Sequence, residues 1–414
     1  MAFKQQIGRI ARRLLAGQRD IPAQSSQTRA ENIASTVVHR SPSSSKPLVS
    51  RLTIAEPSPS RRWIEPSLYD SLERDAEAGF SIPAIQAFRP VTFERHGYPT
   101  RISSSRELLR YVDHNFEPEV PGLYRPGASF PPIGYVNSFT HDESELLNAI
   151  RDRVAAYTEH QLGRRIRPVT NLLVQMGPYR VIEQLAECVG VPSLSIFEVG
   201  PGAGYLGALL ASTGHRYASY DVTQSLYLWQ SFLFDAIAGN EFVEAAAHES
   251  GPAPLNEARV LHLPWWAYAG YLTGCPLRAD IVYSNSNLGE MSVLSLKHML
   301  HISRAMLDGS KLGLLMYFST GMLAQSTQES LDAEFAQFGY QKILHCPFQG
   351  FALQNSTGVD AVRQAFTGGI KHFDVSGRGG SLDANTVMAL KRNEAPLDTT
   401  LAAWNYGWQP PYSD

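Results

Sequence analysis

Cysteine is nearly missing from this chain: Cys188, Cys275 and Cys346 are the only three among 414 residues. They lie too far apart for a CxxC redox or zinc motif, and an odd number argues against a disulfide framework. The expected setting is therefore a reducing, cytoplasmic interior. Long apolar runs are missing too. The longest, such as residues 312–318, fall far short of the roughly 20 residues that a membrane helix requires, and no secretory signal core follows the first basic residues. Charge is sparse: 36 Lys and Arg face 39 Asp and Glu, a net of −3, and 18% charged residues is below the roughly 25% of an average domain. Neither a dedicated nucleic-acid binder nor a wholly disordered chain fits. What is present is apolar material, 43% of residues, enough for one large domain or two ordinary ones with a real core.

The little charge there is lies unevenly. Residues 1–62 hold eleven Lys and Arg against three Asp and Glu, a segment of +8, which leaves −11 on the rest of the chain. From residue 23 to 60 the composition is Ser, Gln, Pro and Arg, with too little apolar surface to offset the entropy of ordering. Residues 1–62 are thus expected to be a basic, disordered tail. Within it Phe3, Ile7, Ile10, Leu14 and Leu15 recur at helical spacing beside Lys4, Arg9, Arg12 and Arg13. A solvated arm, a helix making peripheral contact with an anionic membrane or a partner, and an organelle-type presequence all suit that pattern.

Residues 63–190 look mainly helical, with helices predicted over 67–78, 106–116, 144–162 and 179–188 and proline-rich connectors between them. The connector from 117 to 140 carries Pro118, Pro121, Pro126, Pro131 and Pro132 with Tyr124, Phe130 and Tyr135. It can line a pocket or cross the surface irregularly.

The most informative segment follows. Residues 195–199 form a short apolar run that enters Gly200-Pro201-Gly202-Ala203-Gly204-Tyr205-Leu206-Gly207 and then a helical stretch. Strand, glycine turn and helix is the phosphate-turn architecture of a doubly wound sheet, and Gly202, Gly204 and Gly207 also satisfy GxGxxG. The glycines alone suit a dinucleotide as well. Glu198, two residues before Gly200, shifts the balance, because a fixed negative charge there opposes a pyrophosphate but not the cationic amino-acid end of S-adenosylmethionine. Asp221 lies 17 residues beyond Gly204, where a second parallel strand would end. A carboxylate at that point can accept hydrogen bonds from both ribose hydroxyls.

At these residues a resemblance becomes specific. Phe197-Glu198-Val199-Gly200-Pro201-Gly202-Ala203-Gly204 resembles motif I of the class I S-adenosylmethionine-dependent methyltransferases. Tyr220-Asp221-Val222-Thr223-Gln224 with Tyr227-Leu228-Trp229-Gln230, then His262-Leu263-Pro264-Trp265-Trp266, then Tyr283-Ser284-Asn285-Ser286-Asn287-Leu288-Gly289-Glu290-Met291 are similar to the sugar O-methyltransferase family of polysaccharide and antibiotic gene clusters. The likeness spans residues 181–392, about half the chain. It implies a Rossmann-like seven-stranded α/β domain at 191–395, S-adenosyl-L-methionine as cofactor, and a small-molecule or glycan acceptor. It also makes residues 63–190 a cap on the acceptor side and leaves 396–414 as a C-terminal tail.

Strand and helix alternation supports that core independently. After the two strands already placed, runs at 258–262, 280–284, 312–318, 340–347 and 386–391 read as strands, with helices at 293–307 and 329–338. An insertion containing Gly368, Gly369, Gly377, Gly379 and Gly380 precedes the last strand. Ligands collect at the carboxyl ends of such strands. The expected cofactor contacts are Glu198, Gly200, Gly202, Gly204, Tyr205, Asp221, Val222 and Asn285. The polar end at Ser284-Asn285-Ser286-Asn287 suits a ligand through its amides, with Asn287 on the acceptor, or caps the following helix. Trp265 is either an aromatic platform for the acceptor or core. His262 and Glu290 are the two candidate bases, His262 the preferred one for its near-neutral pKa, and a buried, hydrogen-bonded histidine or a helix-capping acid is the alternative for each. His298 and His301, three apart on a helix without an acidic partner, are not expected to bind metal.

Overall fold

The computed structural model of the chain describes residues 61–80, 101–115, 139–167, 172, 175–247, 258–272, 274–285, 287–288, 291–310, 312–318, 328–347 and 386–392. The tail to residue 60, residues 117–138 of the proline-rich connector, Glu290, the glycine-containing insertion and the C-terminal tail lie outside them.

Among the described residues four helices come first: α1 (Pro66–Gly79), α2 (Ser105–Asn115), α3 (His141–Leu162) and α4 (Met176–Val189). All four fall where the apolar spacing predicts helices. The start of α3 precedes its predicted start by three residues because Thr140 closes a capping box. The Thr140 hydroxyl accepts the Glu143 N–H at 3.2 Å, and the Glu143 carboxylate accepts the Thr140 N–H at 2.8 Å, so the helix gains a defined first turn upstream of its apolar face.

The sheet is built from β1 (Ser195–Val199), β2 (Arg216–Asp221), β3 (Phe242–Glu244), β4 (Val260–Pro264), β5 (Ile281–Asn285), β6 (Leu314–Phe318), β7 (Tyr340–Pro347) and β8 (Thr386–Arg392). The order is β3-β4-β2-β1-β5-β6-β8-β7, with β8 antiparallel to both of its neighbours and the first six strands parallel. The strand order reverses at β1, between β2 and β5, which is the switch point where α/β sheets hold their ligands. The expected seven strands become eight. The extra one, β3, is three residues long, below the length at which alternation can be seen, and it pairs only with β4 at the sheet edge.

A second correction bears on the site. The third predicted strand does not end at 262: β4 runs to Pro264, which lies opposite Asp221. His262 therefore sits two residues inside the strand rather than at its mouth.

Four more helices cross between strands: α5 (Tyr205–Ser212), α6 (Gln224–Ala238), α7 (Trp265–Gly270) and α8 (Val293–Met306), and α9 (Gln328–Gln337) precedes β7. Except for the half-buried Leu226, every residue of α6 is buried. It lies against α5, β2, β3 and β4 on one side and against α2 and α3 on the other, so it is wrapped on all sides. The backbone N–H groups of Arg62 and Trp63 donate to Asp235, and that of Ile64 donates to the Ser231 hydroxyl at 3.1 Å. The N-terminal helices and the sheet consequently share one continuous apolar cluster.

Candidate functional site

The turn after β1 is shaped by close packing. Gly200 has φ 63° and the Asn287 amide lies where its Cβ would be, so no other residue fits there without displacing that amide. Asn287 in turn donates to the carbonyl oxygens of Val199 and Gly200 and accepts from the Ser284 hydroxyl. It ties the end of β5 to the end of β1. Gly202, at φ 61°, faces open space for at least 4 Å on its Cβ side. The turn is thus braced at Gly200 and open at Gly202, which leaves backbone accessible to a ligand.

Two carboxylates sit beneath it. Glu198 is 1% exposed, and the Tyr217 hydroxyl donates to it at 2.6 Å. Burial pushes Glu198 up to about 8, the Tyr217 hydrogen bond opposes that rise, and the negative charge of Asp221 adds to it. Asp221, at the end of β2, is 3% exposed and accepts from the Thr223 N–H at 2.9 Å and from the Gln230 amide at 2.8 Å. Burial raises its carboxyl as well, against the hydrogen bonds from Thr223 and Gln230. A cation or hydrogen-bond donor brought by a ligand favours the ionised form of both groups.

Gln230 was not singled out in the sequence as a site residue, yet it links three elements. Its amide also donates to the Gly202 carbonyl at 2.6 Å, and its oxygen faces His262 Nε2 at 2.9 Å. His262 is fully enclosed, with Nδ1 at 3.2 Å from Glu244 and its ring stacked on Tyr227 at 3.9 Å. Both ring nitrogens are engaged within the protein, and the ring meets no open space. Glu244 was equally invisible in sequence, because β3 itself was. A signal for Gln230 did exist: it is an amide on the helix Gln224–Ala238, whose other side chains facing the sheet are apolar or aromatic.

The remaining predicted contacts are distributed as follows. Tyr205 opens α5 with its ring buried. Val222 is half-buried just past β2. Asn285 closes β5, half-buried, with its amide 3.5 Å from the Gln175 side-chain oxygen. Trp265 is fully buried, its indole N–H donates to Glu73 of α1 at 3.0 Å, and its ring packs on Phe80 and edge-on to Trp266. As placed it is a core anchor for α1 rather than an open platform. Glu73 also accepts from Gln224 at 3.0 Å, so α1 is fastened beside the carboxyl ends of β2 and β4. Glu290 lies outside the described residues. Among the described residues no group of three or more His, Cys, Asp or Glu is arranged for a metal ion, and no helix is long and apolar enough to cross a membrane. A cavity of about 200 Å³ lined by Arg216, Tyr217 and Arg278 opens at the amino ends of the strands, the opposite end from the glycine turn.

No protein-family model matches the chain, and no curated protein matches its sequence. Solved structures with a related chain path include a TehB-like SAM-dependent methyltransferase from Corynebacterium glutamicum, 13% identical over 52% of this chain and 88% of that one, with a TM-score of 0.32. Magnesium protoporphyrin IX methyltransferase from Synechocystis with bound SAH is 10% identical over 59% of this chain and 99% of that one, at a TM-score of 0.33. The StiE O-MT segment is 11% identical over 57% of this chain and 80% of that one, at 0.32. At such identities and TM-scores these likenesses assign neither reaction nor ligand.

Proposed function

We propose that this chain is an S-adenosylmethionine-dependent O-methyltransferase whose acceptor is a sugar hydroxyl of a glycan or a glycosylated metabolite. The observation that carries the reading is the pairing of an open glycine turn at Gly202 with two buried carboxylates, Glu198 and Asp221, one per strand at the switch point. A pyrophosphate brought to this turn would drive Glu198 further from ionisation. A ligand with a cationic end and a neutral ribose does the reverse, because it favours both carboxylates. The sugar part of the reading rests on the sequence resemblance alone.

When bound, the methyl donor supplies an electrophilic methyl group, and the residues of this chain do the rest. Asp221 takes the ribose hydroxyls as an acceptor, Glu198 lowers the cost of an ammonium nearby, and the Gly202 backbone lets the ligand approach. The α1 region, fastened through Glu73 to Trp265 and Gln224, forms the acceptor side and restricts water. An acceptor hydroxyl must lose its proton as the new carbon–oxygen bond forms, a step for which a placed base contributes roughly 10²- to 10⁴-fold. Because both nitrogens of His262 are engaged inside the protein, Glu290 is favoured for that role.

The test is calorimetry with S-adenosylhomocysteine and with NAD, followed by incubation with a labelled methyl donor and a panel of glycans and mass analysis of the product. Binding of the first ligand only, with label on a sugar oxygen, is the expected result. Tight NAD binding without any response to S-adenosylhomocysteine would overturn the reading, and label on a phenol or amine would keep the cofactor while correcting the acceptor.

A further inference from the structure

Asp221 is the near end of a hydrogen-bonded chain that runs Asp221–Gln230–His262–Glu244 across the α6 face of the sheet. The direction of every bond in it follows from chemistry. The Gly202 carbonyl can only accept, so the part of Gln230 that faces it at 2.6 Å is the NH2 group, which also reaches Asp221 at 2.8 Å. The Gln230 oxygen, which can only accept, is then turned to His262 Nε2 at 2.9 Å, so Nε2 carries a hydrogen. One more proton lies between Nδ1 and Glu244 at 3.2 Å. Glu244 also receives the Tyr227 hydroxyl and the Ala246 N–H, which anchor the far end of the chain. The ring is stacked on Tyr227 and meets Phe234 edge-on at 5.4 Å, which fixes its plane.

We infer that Glu244 and His262 are positioning residues that lock the Gln230 amide and thereby present Asp221 as a fixed acceptor for a vicinal diol, the ribose of the cofactor. The inference rests on the methyl-donor reading above. Without the His262 Nε2–H, the Gln230 oxygen is buried with no donor, the amide is held from its NH2 end alone, and its shift toward a new donor takes the fixed partner away from Asp221. The effect is specific to the ribose hydroxyls, which separates it from a general contribution to folding.

The experiment measures binding of S-adenosylhomocysteine and of its 2′,3′-dideoxy analogue to the full chain and to His262→Leu, His262→Gln and Glu244→Gln. His262→Leu should lose at least fivefold affinity for the natural ligand and less than twofold for the analogue. His262→Gln, which keeps a side-chain N–H toward Gln230, should recover most of the loss, and Glu244→Gln should fall between. Equal losses for both ligands, or none for either, would overturn the inference. If the variants fail to fold, ¹⁵N-histidine spectra of the parent protein decide: a protonated His262 Nε2 supports the chain, and a bare Nε2 overturns it. A parent protein that binds no S-adenosylhomocysteine at all refutes instead the methyl-donor reading beneath it.

Discussion

Helix α6 has two buried faces that use polar side chains for opposite ends. Toward the N-terminal helices it presents Gln224, Ser231 and Asp235, whose oxygens take the backbone N–H groups of Ile102, Ile64, Arg62 and Trp63, with Tyr157 adding its hydroxyl to Asp235 at 2.6 Å. Toward the sheet it presents Tyr227, Gln230 and Phe234, and there the one amide is bonded to a carboxylate, a histidine and the glycine turn. On the first face each of the three side chains takes backbone N–H groups from the N-terminal segment, which is a matter of stability. On the second the same kind of atom props a carboxylate whose ionised form the fold does not favour. The two faces should therefore separate under mutation, one in stability and the other in ligand affinity.

The largest effect is expected at Asp235. Asp235→Ala strands two backbone N–H groups and the Tyr157 hydroxyl in a buried place, at about 1–3 kcal/mol for each donor left unsatisfied. Urea unfolding should show a loss on the order of 3 kcal/mol or more. Affinity for S-adenosylhomocysteine in the folded fraction should change little. If affinity falls in step with stability, the two faces are not independent.

Asp221→Ala should do the reverse. It removes a charged acceptor worth on the order of 1.5–3 kcal/mol per hydrogen bond, so calorimetry should show at least a tenfold loss of affinity even after water enters the gap. Unfolding should show a much smaller change than Asp235→Ala. An unchanged dissociation constant would remove Asp221 from the ligand site.

How much of this could be read in advance divides along the same line. Long periodic helices, the strands of the sheet core and the glycine turn were legible because each is local: an apolar face, a run between breakers, a Gly-x-Gly-x-x-Gly. The carboxylates Glu198 and Asp221 were legible for the same reason, through their distances along the chain from that turn. What sequence hid was contact between elements. A strand as short as Phe242–Glu244 has no periodicity of its own, so Glu244 was passed over, and with it the company that His262 keeps. Trp265 read equally well as platform or core, and only its indole bond to Glu73, 192 residues away, separates the two. Asn287 proved to be a brace between strand ends whose amide occupies the space beside Gly200.

Glu198 gives a smaller effect with a definite sign. Its carboxyl is raised to about 8 in the folded chain by burial, while an unfolded glutamate titrates near ~4.3. Between those values the folded state holds a proton that the unfolded state has released. The ligand-free protein should lose stability as pH rises through that window, and Glu198→Gln should flatten the slope. Thermal melts at pH 5, 6.5 and 8 measure it. A cationic ligand end near Glu198 pulls the carboxyl back down, so binding at pH 7 should release protons, seen as a dependence of the calorimetric heat on the buffer. Melts with equal slopes for parent and variant would mean that Glu198 is ionised before the ligand arrives.

The smallest effect tests where the stabilising face begins. Among the described residues the first bonds to α6 come from Arg62, Trp63 and Ile64, and Arg61 lies over the Trp63 ring at 3.7 Å. Residues 1–60 are read from composition as a tail too polar to contribute to a core. Deleting them should leave the melting temperature and S-adenosylhomocysteine affinity unchanged within error. Extending the deletion through Ile64 should lower the melting temperature sharply, since it removes the three N–H groups that Asp235 and Ser231 receive and the buried Trp63 and Ile64 side chains. A large loss already at residue 60 would show that the stabilising face extends into the basic segment, and liposome sedimentation of the two truncations at low and physiological salt would then show whether the same segment also meets anionic lipid, an attraction that must weaken as ionic strength rises.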